Sequence, residues 1–348
     1  MTDLQGIVVL DLTRLLPGAV ASQYLADWGA EVIKIEQPGT GDYARQMSPT
    51  VFKRTNAGKK SIVLDLKNPR GREILKSLAA TADMLIEGNR PGVMERLGLC
   101  YSELSAVNKR LIYVSLTGYG QRGRYTDLAG HDVNYLALGG VLGLNLPVIP
   151  GVQIADLVGG SMQTVTGILL ALVARHRTGE GRHVDVSMYA GVTSLLTVPL
   201  ATWHDTGCEP RPGAETLSGR YACYNIYEAA DGRWLAVGAL EPKFWAELCR
   251  RLGCDDLIPR QFDAQQDAVK SKVAAIFRTK PAATWFDQLR DSDCCVTPVR
   301  TVGEVAAELP DRDGPPPPAL GEHTFELLSR FGLAHSELEE LKRQEVIA

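Results

Sequence analysis

From residue 6 to residue 116, short apolar runs rich in β-branched residues alternate with segments of helical spacing, and this alternation limits the fold more than any other feature. Residues 6–12 form the first run. Pro17-Gly18 breaks it, and the Ala-rich residues 19–28 follow with helical spacing and Gly29 as the stop. Residues 31–36 are a second run, closed by Pro38-Gly39, so the segment reads as a βαβ unit. Residues 60–65, a helix opened by Asn68-Pro69 and carried through Leu78, and residues 82–87 make another. A polar helix near 101–108 then leads to a strand at 111–116. Strands alternating with helices imply a parallel sheet covered on both faces, so the expected fold class is α/β.

Past Asp132 the pattern changes. Helical stretches at 133–142 and 157–177 are rich in small and apolar residues, and 182–187 reads as a strand. The polar segment 205–218 reads as a linker. Residues 224–237 and 295–302 read as strands around helices at 241–252 and 267–278, which predicts a second, smaller α/β domain. Residues 309–318 carry four consecutive prolines at 315–318 and read as a stiff extended spacer. Residues 324–344 have helical periodicity and are expected to return to the first domain. The expected division is 1–204 (large domain), 205–221 (linker), 222–302 (small domain), 303–323 (linker) and 324–348 (C-terminal helix). A length of 348 residues, 45% of them hydrophobic, suits two domains with real cores, and 22% charged residues exclude disorder as the main state.

Lysine and arginine number 37 against 41 aspartates and glutamates, and no basic tail is present, which argues against a nucleic-acid partner. A phosphate-bearing ligand must then meet local basic residues. Lys53, Arg54, Lys59, Lys60, Lys67, Arg70, Arg90, Arg96, Arg122 and Arg124 fall mostly in connections of one sheet, where such a ligand would sit. Any one of them is more simply a solvated surface charge. The longest strongly apolar stretch, 165–174, is short of the ~20 residues a membrane span needs, so no membrane association is expected. The seven cysteines form no C-x-x-C and read as reduced thiols, and no basic segment precedes residues 7–10; a cytoplasmic location is expected.

A literal G-x-G-x-x-G at Gly118, Gly120 and Gly123 follows a strand, but no apolar helical face comes after it, which argues against a nicotinamide cofactor. Gly130-His131-Asp132 falls where a loop meets a helix, a place that favours a neutral imidazole, although a plain capping residue fits equally. Asp156 occupies a similar place in Ile154-Ala155-Asp156-Leu157-Val158-Gly159-Gly160-Ser161. Its simplest role is an N-cap. The glycines after it would leave backbone N–H groups open to an anionic oxygen.

The chain resembles the family III CoA-transferases (the CaiB/BaiF group), which include formyl-CoA transferase, crotonobetainyl-CoA transferase and α-methylacyl-CoA racemase. The likeness is carried by residues 4–12, by Asn56-Ala57-Gly58-Lys59-Lys60-Ser61-Ile62-Val63-Leu64-Asp65-Leu66-Lys67, by Arg90-Pro91-Gly92-Val93-Met94-Glu95-Arg96-Leu97-Gly98, by Thr117-Gly118-Tyr119-Gly120, by Asp156-Leu157-Val158-Gly159-Gly160 and by Ala319-Leu320-Gly321-Glu322-His323-Thr324. It implies a large Rossmann-like domain, a small domain on two long linkers, and two protomers interlocked as a homodimer.

The resemblance also implies a site. Asp156 matches the family's shared carboxylate, which attacks the thioester in transferases and works as an acid/base in the racemase. There it pairs with a histidine in a Gly-His-Asp motif, matched here by His131. Gly238-Ala239-Leu240-Glu241-Pro242 resembles the segment whose glutamate supports that histidine across the dimer. The implied function is racemisation of a 2-methylacyl-CoA through an enolate, with His131 and Asp156 flanking the α-carbon and backbone N–H groups near Asp156, Gly159 and Gly160 holding the enolate oxygen. The stretch Pro150-Gly151-Val152-Gln153 is nearer to the transferase members, so CoA transfer through a covalent Asp156 thioester is the alternative, and a non-catalytic acyl-CoA binder the third. Lys67, Arg90 and Arg96 are the expected phosphate contacts, with Leu64 and Tyr135 completing the CoA-contacting set. The partner is an acyl-CoA thioester. No metal or redox cofactor is expected, coenzyme A entering only as part of the substrate.

Overall fold

The computed structural model describes residues 2–309 and 315–348. The apolar runs become strands: β1 (Val8–Asp11), β2 (Glu31–Glu36), β3 (Lys60–Val63), β4 (Met84–Glu87), β5 (Ile112–Thr117) and β6 (His183–Ser187). They pair in the order β3-β2-β1-β4-β5-β6, every neighbour parallel. Alternate side chains of each strand face opposite ways, so a continuous apolar run can fill two cores. Leu10, Ile33, Leu85 and Tyr113 face one core, closed by Leu75, Leu104 and Leu327. Val9, Val32, Ile86 and Val114 face the other, closed by Leu25, Ile168 and Val192. The strand order reverses between β1 and β4, and at that point a crevice opens beyond the carboxyl ends of the strands.

Two compact units divide the chain, Met1–Val198 with Gly314–Ala348, and Pro199–Asp313. In the first, Asn68 caps the helix Pro69–Ala79 by accepting from the Arg70 amide at 2.9 Å, with Pro69 at the first helical position, where its missing N–H costs nothing. The same tolerance corrects one expectation. The helix expected from residue 19 opens earlier, as Leu16–Asp27, with Pro17-Gly18 in its first turn. The tail forms helices Thr324–Arg330 and His335–Arg343 and closes on β3: Val63 N donates to Thr324 Oγ1 at 3.1 Å, and Asp65 N to the Val346 carbonyl at 2.9 Å.

The second unit holds β7 (Tyr224–Glu228), β8 (Trp234–Gly238) and β9 (Val296–Pro298) in an antiparallel sheet. Its helices Pro242–Leu252, Asp267–Phe277 and Ala282–Leu289 bury Trp245, Phe277 and Trp285. The expected run 224–237 is a hairpin, turned at Asp231-Gly232, where Gly232 has φ 75°. Residue 302 opens the helix Val302–Glu308 instead of ending a strand, and the helix Thr197–Thr206 runs past residue 204. Of the expected spacer 309–318, residues 310–314 lie outside the described residues.

The apolar stretch read as 165–174 is also longer than expected. A continuous helical segment, Ala155–Thr178, spans 24 residues with a mean hydropathy of 1.7 in its most apolar window, enough to cross a membrane by length and composition alone. It packs on β5, β6 and the helix Leu16–Asp27, while Leu169, Leu170 and Val173 stay exposed.

Beside the crevice, charges are buried in pairs. Lys34, wholly buried, pairs with Asp42 at 2.8 Å and donates to the Thr13 carbonyl at 2.9 Å. Asp42 in turn accepts from Leu15 N at 3.1 Å and Ala44 N at 2.9 Å. Lys59 lies 3.6 Å from Asp11 and donates to Ser22 Oγ, the Ala19 carbonyl and Asn56 Oδ1. Burial pushes the Asp11 carboxyl up, but Lys34 and Lys59 outweigh it and hold it below its ordinary value. Burial drags Lys59 down to about 7 against the pull of Asp11. This network pins the β1 loop, including Leu15 at φ 60°, a strained conformation for a branched side chain.

Candidate active site

The pinned loop forms one wall of the crevice. A cleft of about 210 Å³ lies between the ends of β1, β4 and β5, lined by Thr13, Arg14, Asn89, Arg90, Gly118 and Tyr135 among others. A second, of about 230 Å³, lies over the ends of β2 and β3 and is lined by Leu64, Lys67 and Val93. Arg14 and Asn89 line both, so the two run together as one groove along the carboxyl edge of the sheet. Lys67 stands at one end and Tyr135 at the other.

Of the expected CoA contacts, Leu64, Lys67, Arg90 and Tyr135 therefore line this groove. Arg96, on the short helix Val93–Leu97, lines none of the cavities described. The wider basic cluster does not hold together. Lys59 is buried against Asp11, Lys60 pairs with Glu31 and Glu326, and Arg70 pairs with Glu73 and Glu337. Pairing satisfies these charges within the fold, so they do not converge on a ligand. Arg14 takes their place; no motif marks it, and the only sequence signal is its position directly after the first strand.

The Tyr135 end is built by two segments. His131 precedes the helix Asp132–Leu138, its backbone N–H donating to Asn134 Oδ1 at 3.1 Å and its side chain exposed. Tyr135, one turn on, packs its ring where a Cβ on Gly118 would sit and donates its hydroxyl to the Gly130 carbonyl at 2.6 Å. The second segment begins with a π-helical stretch, Ala155–Met162, that runs into the helix Gln163–Thr178. π-helical turns of this kind recur at functional sites. They are joined by Asp132 Oδ1, which accepts from the Asp156 amide at 3.0 Å. His131 and Asp156 are thereby brought together beside Gly130 and Tyr135, which line the cleft.

Asp156 is half-buried, and among the described residues no donor bonds its carboxylate. Desolvation pushes its pKa up to about 6, Asp132 adds to the rise, and His131 opposes it. Burial, with the nearby Asp156 charge, also pushes the Tyr135 hydroxyl up to about 12.

Two expectations fail here. Asp156 is no N-cap, because it lies inside the π-helical stretch, two residues past the cap position at Ile154. The N–H groups expected to meet an oxyanion are also engaged. That of Asp156 is held by Asp132, and Gly159 and Gly160 lie inside the helical segment, where N–H groups face preceding carbonyls. Those glycines serve packing instead: a Cβ on Gly159 would come 2.6 Å from the Met188 carbonyl, and one on Gly191 2.4 Å from the Gly159 carbonyl. Glu241 belongs to the other unit, immediately before the helix Pro242–Leu252. Among the described residues no cluster of three His, Cys, Asp or Glu side chains could hold a metal.

The model of CoA-transferase family III matches residues 4–313. Human alpha-methylacyl-CoA racemase is 37% identical over 99% of this chain and 97% of its own length. The acetyl-CoA:oxalate CoA-transferase of Acetobacter aceti is also 37% identical, over 88% of this chain and 82% of its own. Among solved structures, a CaiB/BaiF family protein from Brucella suis superposes with a TM-score of 0.78 at 27% identity, over 95% of this chain and 99% of that one. The parallel sheet, the carboxyl-edge groove and these matches agree: the chain belongs to CoA-transferase family III.

Proposed function

We propose that this protein is an acyl-CoA racemase or epimerase that interconverts the two configurations of a 2-methylacyl-CoA. The observation that carries the reading is the meeting of His131 and Asp156 beside the cleft, with the Asp156 carboxyl pushed up to about 6. A carboxyl that titrates there can both take and give a proton near neutral pH. The α-carbon is already acidified by the thioester carbonyl, so the reaction calls for no metal and no redox group. One of the pair removes the α-proton, and the electrons of the C–H bond move into the enolate. The protonated form of the other returns a proton to the opposite face. Lys67, Arg14 and Arg90 give the groove the cationic donors that phosphates require.

The reading includes a homodimer in which Glu241 of a second copy supports His131. The exposed strip Leu169, Leu170 and Val173 supports a partner surface, since an apolar row of this kind on a long helix favours cover. Covalent CoA transfer through Asp156 is the second reading, favoured by the equal identity to the Acetobacter transferase.

The test is to incubate one enantiomer of a 2-methylacyl-CoA in D₂O and follow α-deuteration and loss of configuration. Exchange with no added acid is expected, and His131→Ala should slow it by about 10²- to 10⁴-fold. No exchange until an acceptor acid is added, together with an aspartyl thioester trapped by hydroxylamine, overturns racemisation in favour of transfer.

A further inference from the structure

A third cavity in the first unit, of about 640 Å³, plays no part in the reading above. It lies over β4, β5 and β6 on the far side of the Arg90-Pro91 wall. Its floor is a polar patch across three strands. Glu87 sits in register opposite Ser115, and Tyr113 opposite His183. Ser115 Oγ lies 2.9 Å from His183 Nε2 and also hydrogen-bonds the Glu87 carboxyl, which accepts from the Asn89 amide at 2.8 Å. Glu87 and Tyr113 are each only 2% exposed.

Two features of this floor are unusual for a finished core. The Tyr113 hydroxyl is buried with no hydrogen-bond partner among the described residues, and such groups are rarely left so. Among the described residues no cation pairs with Glu87, and burial, with Glu95 adding to it, raises its carboxyl above the ordinary range. Arg90 and Arg122 also line the cavity, but both are exposed and no ion pair among the described residues joins either to Glu87. The walls are of another character: Pro91, Met94 and the ring of Tyr101, which stacks on His183 at 5.5 Å. The volume is that of a small-molecule site.

We propose that this cavity binds a small primary ammonium with an apolar body, its nitrogen donating to Glu87 and the Tyr113 hydroxyl and its body lying against Met94 and Tyr101. An ammonium has three donors and a positive charge, which satisfies the unpaired carboxylate and the orphan phenol together. A neutral alcohol satisfies one of them and carries no charge. The ring face of Tyr101 adds attraction for the cation. The assignment is independent of the reaction proposed above, and a failed exchange assay leaves it standing.

Calorimetric titration of the full-length protein with benzylamine, and in parallel with benzyl alcohol, tests it. Benzylammonium should bind at one site per chain, at least about tenfold tighter than the alcohol, as a charge-assisted hydrogen bond predicts. Glu87→Gln, which keeps an acceptor for the Asn89 amide, should abolish that preference. Tyr113→Phe removes only a hydroxyl and should weaken the amine by about 3- to 10-fold, an independent reading should the first variant fail to fold. Equal affinity of amine and alcohol, a preference that survives Glu87→Gln, or no saturable amine binding overturns the proposal.

Discussion

The two halves of the sheet's carboxyl edge bury polar groups in opposite ways. Around β1 and β2, Lys34, Asp42, Asp11 and Lys59 are fully enclosed and each faces an opposite charge. Around β4 and β5, among the described residues, Glu87 has no counter-charge and the Tyr113 hydroxyl no partner, yet both are as deeply enclosed. Burial alone therefore says little about role. Paired charges hold a loop in place, here the strained turn that carries Arg14, whereas unpaired groups beside a cavity mark where something else can bind.

Breaking the paired side should have the largest effect. Lys34→Met leaves Asp42 buried without its cation and is expected to cost about 3–5 kcal/mol in urea unfolding as the β1 loop loosens. On the proposed racemase reading, losing one of the acid/base pair comes next: Asp156→Asn should lower α-exchange by about 10²- to 10⁴-fold with little change in the unfolding midpoint. Asp132→Asn sharpens the picture, because its amide oxygen can still accept from the Asp156 amide while the charge that adds to the burial-driven rise of Asp156 is gone. On the same reading Asp156 gives the rate profile an acid limb near 6, and that limb should move to lower pH. An unmoved limb would remove Asp156 from the proton-transfer step.

The smallest effects are expected on the unpaired side. Glu87 titrates higher folded than unfolded, so the folded state holds the extra proton. Its contribution is fully present at low pH and is lost as pH rises through the folded value. Glu87→Gln should flatten that fall when urea unfolding is compared at acidic and neutral pH. Tyr113→Phe should leave stability within about 1 kcal/mol, in contrast to Lys34→Met.

The parallel sheet was legible because β4 and β5 are buried on both faces and are apolar except at Glu87, Ser115 and Thr117. The hairpin of β7 and β8 was missed as two strands because its turn, Asp231-Gly232, interrupts one apolar run without ending it. The family motifs single out His131 and Asp156; placement alone left capping roles open for both, and for Asp156 the structure removes that role. The oxyanion donors were misplaced because sequence shows where glycines are but not what presses on them, here Met188 and Gly191. The basic residues misled for a related reason. Lys59, Lys60 and Arg70 find their acidic partners elsewhere in the chain, at Asp11, Glu326 and Glu337, and no local pattern reports that.

The π-helical stretch Ala155–Met162 closes its turns with i→i+5 bonds, one residue wider than the i→i+4 turns of the helix it feeds. Residue number is therefore part of the site. Deleting one residue between 157 and 162 would let the segment relax to an ordinary helix and swing position 156 by about 100° around the axis. The carboxylate would then face away from residue 131 with every side chain of the pair intact. A length change there could silence the centre as completely as replacing the aspartate, and an insertion restoring the count should revive it.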